Sequence, residues 1–235
     1  MLRLRLALCP QMRNPFFGST NWRFWLIALV LLSYLSVVQV TSARQESATG
    51  DEPIELAAGY SYLKTGDFRM NPEHPPLAKM FAALPLLRFH LFFPPDTTAW
   101  SKGDAYSFGM QFLTTNAKKE DALLFAARCS SIFLTFCLGL AILLWTRVNF
   151  SPSIALMALT LYAFDPTITA HGRYVKNDLA ITLFSFLACI AWGAFLARPG
   201  SKRLLLAGLV LGLAMATKYS AQFLLPVFAM LFAIR

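Results

Sequence analysis

The 28 residues from Gly50 to Leu77, GDEPIELAAGYSYLKTGDFRMNPEHPPL, carry five carboxylates, one histidine and four prolines within a chain that is otherwise mostly apolar. Asp51 and Glu52 stand directly before Pro53. An acidic cap followed by a proline at the first helical position marks a helix start, so the spacing predicts both carboxylates fixed at a helix end. Glu73 and His74 lead into Pro75 and Pro76, whose restricted backbone predicts a stiff extended segment presenting a carboxylate and an imidazole. A carboxylate held in this way can take a proton from an attacking hydroxyl or amine. Taken singly, each of these residues is equally well a solvated loop side chain, and it is the cluster that points to chemistry.

A second polar stretch, DPTITAHGRYVKND at residues 165–178, supplies Asp165, His171, Arg173, Lys176 and Asp178, and Lys218 stands between two further apolar runs. Guanidinium and ammonium groups can stabilise a departing phosphate. Carboxylates and cations brought to one face therefore describe transfer from a phosphate-linked donor, with the nearby cations biasing a base toward its ionised form. Plainer readings stand beside these. Asp165 before a proline is a turn or helix cap, His171 and His90 are polar interface residues, and Lys218 can simply mark a loop. Arg128 near the end of an apolar run must face a polar cavity or the interface, since a charge at the bilayer centre costs about 2.5–3.5 kcal/mol on insertion scales. Anchoring and ligand binding are both open for it.

These residues need a membrane scaffold. Of the 235 residues 57% are hydrophobic and 14% charged, and the mean hydropathy is +0.53, which is membrane composition. The net charge of +9 does not indicate nucleic acid. Arg3, Arg5, Arg13 and Arg23 precede the first apolar run, and Arg147, Arg198, Lys202, Arg203 and Arg235 flank others, as the positive-inside bias requires. Cys9, Cys129, Cys137 and Cys189 show no CxxC spacing, which argues against a disulfide framework or zinc site.

The expected fold is all-α, a polytopic transmembrane helix bundle of five or six spans with a long outer loop carrying interfacial helices. Residues 1–21 form a basic cytoplasmic arm. Residues 22–40 form the first span, about 28 Å of helix and too long for a signal peptide. The first outer loop covers 41–122. Within it Leu77–Phe93, interrupted by Lys79, Pro85, Arg88 and His90, reads as a helix in the headgroup region with Lys79 and Arg88 snorkelling into water. Trp100–Phe112 reads as another surface element. Asn116 is expected to cap a helix that runs into the second span at 123–146. Span 3 covers 153–168, the second outer loop 169–178 and span 4 residues 179–197. Residues 204–217 and 221–235 make either one bent helix or two short spans turning near Lys218, and Gly208 and Gly212 offer a GxxxG packing face.

In this order and placement the segments resemble the N-terminal half of a GT-C glycosyltransferase, the superfamily of dolichyl-phosphate-mannose protein mannosyltransferases and their bacterial relatives. The resemblance rests on the acidic pair Asp51 and Glu52, on NPEHPPLAK at 71–79, on the loop ending at Asp178 and on GLVLGLAMATKYSAQFLLP at 208–226. It covers roughly residues 22–230. It implies inverting transfer from a polyprenyl-phosphate sugar at the outer leaflet. Asp51 would be the general base and Glu52 would place the acceptor. Asp178 would match the acid closing the second loop, and Lys218 would contact the donor phosphate, assisted by Arg173, Lys176 and Arg128. Glu73 and His74 occupy a segment where some relatives hold a metal or substrate, so a divalent ion is compatible but not required. The implied partners are membrane lipid, the lipid-linked sugar and an acceptor protein or glycan. Members are usually about twice as long, so a fragment is expected. The absence of N-x-[ST] sequons from the outer loops favours a bacterial inner membrane, with the N-terminus cytoplasmic. The rival is a non-catalytic carrier or flippase subunit, which would need Arg173, Lys176 and Lys218 but have little use for Asp51.

Overall fold

The computed structural model describes residues 22–93 and 97–235, and among these every regular element is a helix. The expected basic arm at 1–21, with Cys9, lies outside the described residues. Eleven α-helices follow in order: α1 Trp22–Ala43, α2 Glu52–Thr65, α3 Leu77–Ala83, α4 Thr98–Lys102, α5 Ala105–Thr115, α6 Glu120–Asn149, α7 Pro152–Phe164, α8 Pro166–His171, α9 Asp178–Ala197, α10 Ser201–Met215 and α11 Leu224–Ala233. Three stretches are long and apolar enough to cross a membrane: α1, α6 with its preceding turn (Ala117–Asn149), and α9.

The long helices α1 and α6 run antiparallel. At one end of the bundle the Arg128 side chain of α6 reaches the Ala43 carbonyl at the end of α1. At the other end Arg147 lies 4.5 Å from the rings of Phe24 and Trp25. A membrane-side core joins Phe24, Leu32 and Leu35 of α1 to Leu138 and Leu143 of α6, Leu159 and Tyr162 of α7, and Leu183 of α9. Helices in lipid associate through close packing and interhelical hydrogen bonds. Both occur here: Gly139 fits against Tyr162 and Leu32, and the Tyr162 hydroxyl donates to the Thr135 carbonyl at 2.8 Å. The outward faces of α1 and α10 expose Trp22, Leu29, Val37, Leu205 and Leu209, as lipid-facing surfaces should.

A second core belongs to the loop that precedes α6. Leu56, Tyr60, Met70, Leu86, Trp100, Phe108 and Phe112 pack together with Leu123, Leu124 and Ala127 at the start of α6. In the expected surface element at Trp100–Phe112, Trp100, Phe108 and Phe112 point inward and cover α2, while Tyr106 faces outward. For Lys79 the expectation is corrected. It is 1% exposed and donates to the carbonyls of Asn71 at 2.5 Å and His74 at 2.9 Å instead of snorkelling. Arg88 remains exposed. Asn116 does not cap the helix that follows. Its amide side chain instead bridges the backbone N–H and C=O of Phe92, pinning the aromatic strap over this core.

α2 and α3 approach so closely at Gly59 that a β-carbon there would lie 2.1 Å from the Lys79 carbonyl oxygen. Since backbone cannot yield as a side-chain tip can, Gly59→Ala should destabilise the protein by about 1–3 kcal/mol, the usual cost of overpacking. Thermal unfolding in detergent micelles checks this, and an unchanged midpoint would contradict the close contact.

Span 3 ends earlier than expected. α7 stops at Phe164, and Asp165 starts α8 by accepting from the Ile168 N–H at 2.8 Å, the cap that its position before Pro166 indicated. The turn after α8 docks by a close approach at Gly172, where a β-carbon would meet the Gln39 and Thr135 side chains. The apolar runs after residue 200 form two helices that turn back on each other. Lys218 returns to Asp178 at the start of α9, and Phe228 and Phe232 of α11 then pass Trp192 and Phe195 of α9 in the same order. Among the described residues nothing lies against Gly208 or Gly212 of the GxxxG; Ala207 and Ala214 are the buried small residues of α10.

Candidate active site

Asp51 and Glu52 are adjacent, but successive helical positions point about 100° apart, and the two side chains part company. Glu52 is fully buried and takes a two-pronged ion pair from Arg128, Nε to Oε1 at 2.8 Å and Nη2 to Oε2 at 2.6 Å. Its oxygens also accept from the Thr49 N–H at 2.9 Å and the Val175 N–H at 3.1 Å. Arg128, likewise 0% exposed, spends its remaining donors on the carbonyls of Ala43, Glu46 and Ser47. One ion pair therefore ties the end of α1, the start of α2, the middle of α6 and the turn before α9. Burial alone would raise the Glu52 carboxyl, but the guanidinium and the two backbone N–H groups overcome it and hold the group below the ordinary carboxylate value.

Arg173 acts in parallel. Its Nε and Nη2 donate to both oxygens of Glu46 at 2.8 and 2.6 Å, and Nη1 donates to the Thr169 carbonyl. The bond from Arg173 lowers the Glu46 carboxyl. All five Arg128 donors are engaged, and Arg173 has four of its five engaged by Glu46, the Thr169 carbonyl and the Tyr174 hydroxyl; neither guanidinium, both expected near the donor phosphate, lines the cavity shared by Asp51 and Lys218. Glu52, enclosed by Arg128, does not reach it either.

The cavity has a volume of about 280 Å³, close to the lower bound of small-ligand sites at roughly 300 Å³. The first polar stretch contributes Asp51, Ile54, Glu55, Asn71, Glu73 and His74; the second contributes Lys176, Asn177 and Asp178, and the turn after α10 contributes Lys218. Asp51 pairs with Lys176 at 2.9 Å and Asp178 with Lys218 at 2.8 Å. The bond from Asp51 raises the Lys176 ammonium above its ordinary value. The Asp51 side chain makes no capping bond to α2 and is 65% exposed, so it is free to meet a ligand. The first polar stretch and the turn after α10 are also joined through the backbone, where Leu77 N–H donates to the Ala216 carbonyl at 3.0 Å.

Six expected site residues, Asp51, Glu73, His74, Lys176, Asp178 and Lys218, therefore share one cavity. Residues 71–76 form turns, not an extended segment, with Asn71 in the left-handed region at φ 49°, a conformation that asparagine tolerates better than most residues. Among the described residues no three His, Cys, Asp or Glu side chains come close enough to share an ion. Glu73 and His74 alone are too few for a closed metal site.

Three polar lining residues were not anticipated: Glu55, Asn71 and Asn177. Glu55 had a legible signal, since it follows Asp51 by four residues and so falls on the same helical face.

Comparison with curated protein sequences and with solved structures gives no match. A family model described as dolichyl-phosphate-mannose-protein mannosyltransferase matches residues 57–235, from α2 through α11 and including every cavity residue after Glu55. That match covers most of the polypeptide, and this membrane protein belongs to the dolichyl-phosphate-mannose-protein mannosyltransferase family.

Proposed function

We propose that the cavity transfers a sugar from a polyprenyl-phosphate donor to a hydroxyl acceptor with inversion, at the outer face of the membrane. The observation that carries this reading is the convergence of Asp51, Asp178, Lys176 and Lys218, from three separate turns, on one cavity. Asp51 takes the proton of the acceptor hydroxyl as its oxygen attacks the anomeric carbon. The bond from that carbon to the phosphate oxygen breaks on the opposite side, and its electron pair leaves with the polyprenyl phosphate. Lys218 and Lys176 meet the growing phosphate charge with the ammonium N–H groups that their carboxylate partners leave open. Asp178 orients Lys218.

Membership of the family supports a mannosyltransferase-type membrane enzyme. The assignment of Asp51, which lies before the matched residues, rests on geometry. The cationic turn at Arg198–Arg203 and the N-terminus are assigned to the cytoplasm by the positive-inside bias, which places the cavity on the outer side, in keeping with the bacterial inner membrane.

Lys218→Ala should weaken binding of polyprenyl-phosphate mannose by about ten- to hundredfold, the usual worth of a hydrogen bond to a charged group, and Lys176→Ala should act in the same direction. Donor binding to the protein in vesicles measures this. Unchanged affinity in both variants would reject the phosphate assignment.

A further inference from the structure

Glu55 has no part in the chemistry above, yet it is the most unusual group in the cavity. It sits one turn inward from Asp51 on the same face of α2, about 6 Å along the helix, and is 8% exposed. Its Oε1 accepts from the Asn71 side-chain amide at 3.3 Å, whereas Oε2 is buried without a hydrogen-bond partner. A buried polar atom without a partner costs about 1–3 kcal/mol, so one that persists calls for a ligand. The narrow space on its other side, shared with Lys79, Ser131 and Asn177, has only about 10 Å³, no more than one water needs. A ligand of any size therefore reaches Glu55 only from the Asp51 side.

We propose that Glu55 reads a hydroxyl of the transferred hexose, on the side of the ring away from the anomeric carbon, and so selects which sugar is moved. This rests on the transfer reading above. Asp51 lies toward the mouth, where the acceptor enters, and Lys176 and Lys218 hold the phosphate, so the sugar between them points its far hydroxyls at the inner wall. Glu55 and Asn71 form that wall. Burial raises the Glu55 carboxyl; Lys79 and Asn71 oppose the shift, and the charges of Asp51 and Glu73 add to it. A carboxyl biased toward its neutral form both donates and accepts, which suits a sugar hydroxyl, itself donor and acceptor. Asn71, held by its left-handed backbone and by the Lys79 bond to its carbonyl, fixes the carboxyl plane.

The test is binding of polyprenyl-phosphate mannose and its 2-, 3-, 4- and 6-deoxy analogues to the full chain in phospholipid vesicles. The wild type should bind one deoxy donor about ten- to hundredfold more weakly than the parent. Glu55→Ala should bind that analogue and the parent alike, while discriminating among the others as before. Glu55→Gln, which keeps both a donor and an acceptor, should retain most of the discrimination. If the alanine variant fails to insert, Glu55→Met, of similar length but without an oxygen, is read in its place. An equal loss for all five donors, or no change for any, would overturn the assignment of Glu55. A wild type that binds the donors but transfers no sugar to any acceptor would overturn the transfer reading instead, leaving Glu55 to be judged on binding. A wild type that binds none would overturn both.

Discussion

Asp51→Asn should cut sugar transfer by about 10²–10⁴-fold, the usual contribution of a positioned general base, while donor binding changes little. The amide has nearly the same shape and still accepts a hydrogen bond from Lys176, so the cavity should keep its form. It cannot take a proton from the attacking hydroxyl. The prediction is specific because Asp51 is half of an exposed pair with Lys176 at 2.9 Å and makes no capping bond to α2, so its replacement should leave the fold nearly as stable as before. Single-turnover transfer from polyprenyl-phosphate mannose, alongside donor affinity, separates the chemical step from binding. Full turnover in the variant would move the base elsewhere, whereas donor binding without any transfer by the wild type would revive the carrier reading, in which Lys176 and Lys218 bind an anionic lipid and no bond is made.

Arg128→Met should have the largest effect on the fold, about 3–5 kcal/mol, because it leaves the fully buried Glu52 without its partner. That is a large share of the 5–15 kcal/mol by which folded domains are stable. Three carbonyls, of Ala43, Glu46 and Ser47, lose their donors as well. The double variant Glu52→Gln with Arg128→Met should recover part of the loss, since it removes the stranded charge as well as the ion pair. Melting in detergent at neutral pH reads both, and a midpoint unchanged in Arg128→Met would refute the brace.

The pH dependence of these proteins follows from the direction in which Glu52 is held. Its folded value lies below the ordinary 4.5, so the wild-type pair contributes in full above that value. The contribution is lost as pH falls through the lower folded value. Without the guanidinium, burial dominates and pushes the carboxyl upward. Arg128→Met should therefore be penalised less at pH 4 than at pH 7, a reversal that a purely steric defect would not produce.

Asp51, Lys176, Asp178 and Lys218 could be chosen from residue type and spacing because polar groups are costly in an apolar chain. Those that interrupt it near helix ends stand out against the rest. The helix start at Pro53 and the cap at Asp165 were legible for a local reason, since the proline presets the backbone of α2 and the Asp165 carboxylate accepts from the backbone beside it, whereas Asp51, expected to cap, makes no such bond. The family resemblance was legible too, because it lies in the order of short segments along the chain.

What the sequence determined by itself, then, is the helical membrane class and the set of charged groups from which a site can be built. The tertiary structure decided where each member of a pair sits and what it touches. Glu52 and Asp51 are neighbours in the chain, and nothing local shows that one is locked to Arg128 while the other faces a cavity. Arg128 and Arg173 have the same charge as Lys176 and Lys218, but their forked donors are consumed by Glu52, Glu46 and backbone carbonyls of residues 43–47. Lys79 turned inward because carbonyls of the Asn71–His74 turns were waiting for it. The physical reason is common to all of these: a charge type is a property of one residue, whereas its satisfaction depends on partners tens of residues away, and those are known only once the helices have packed.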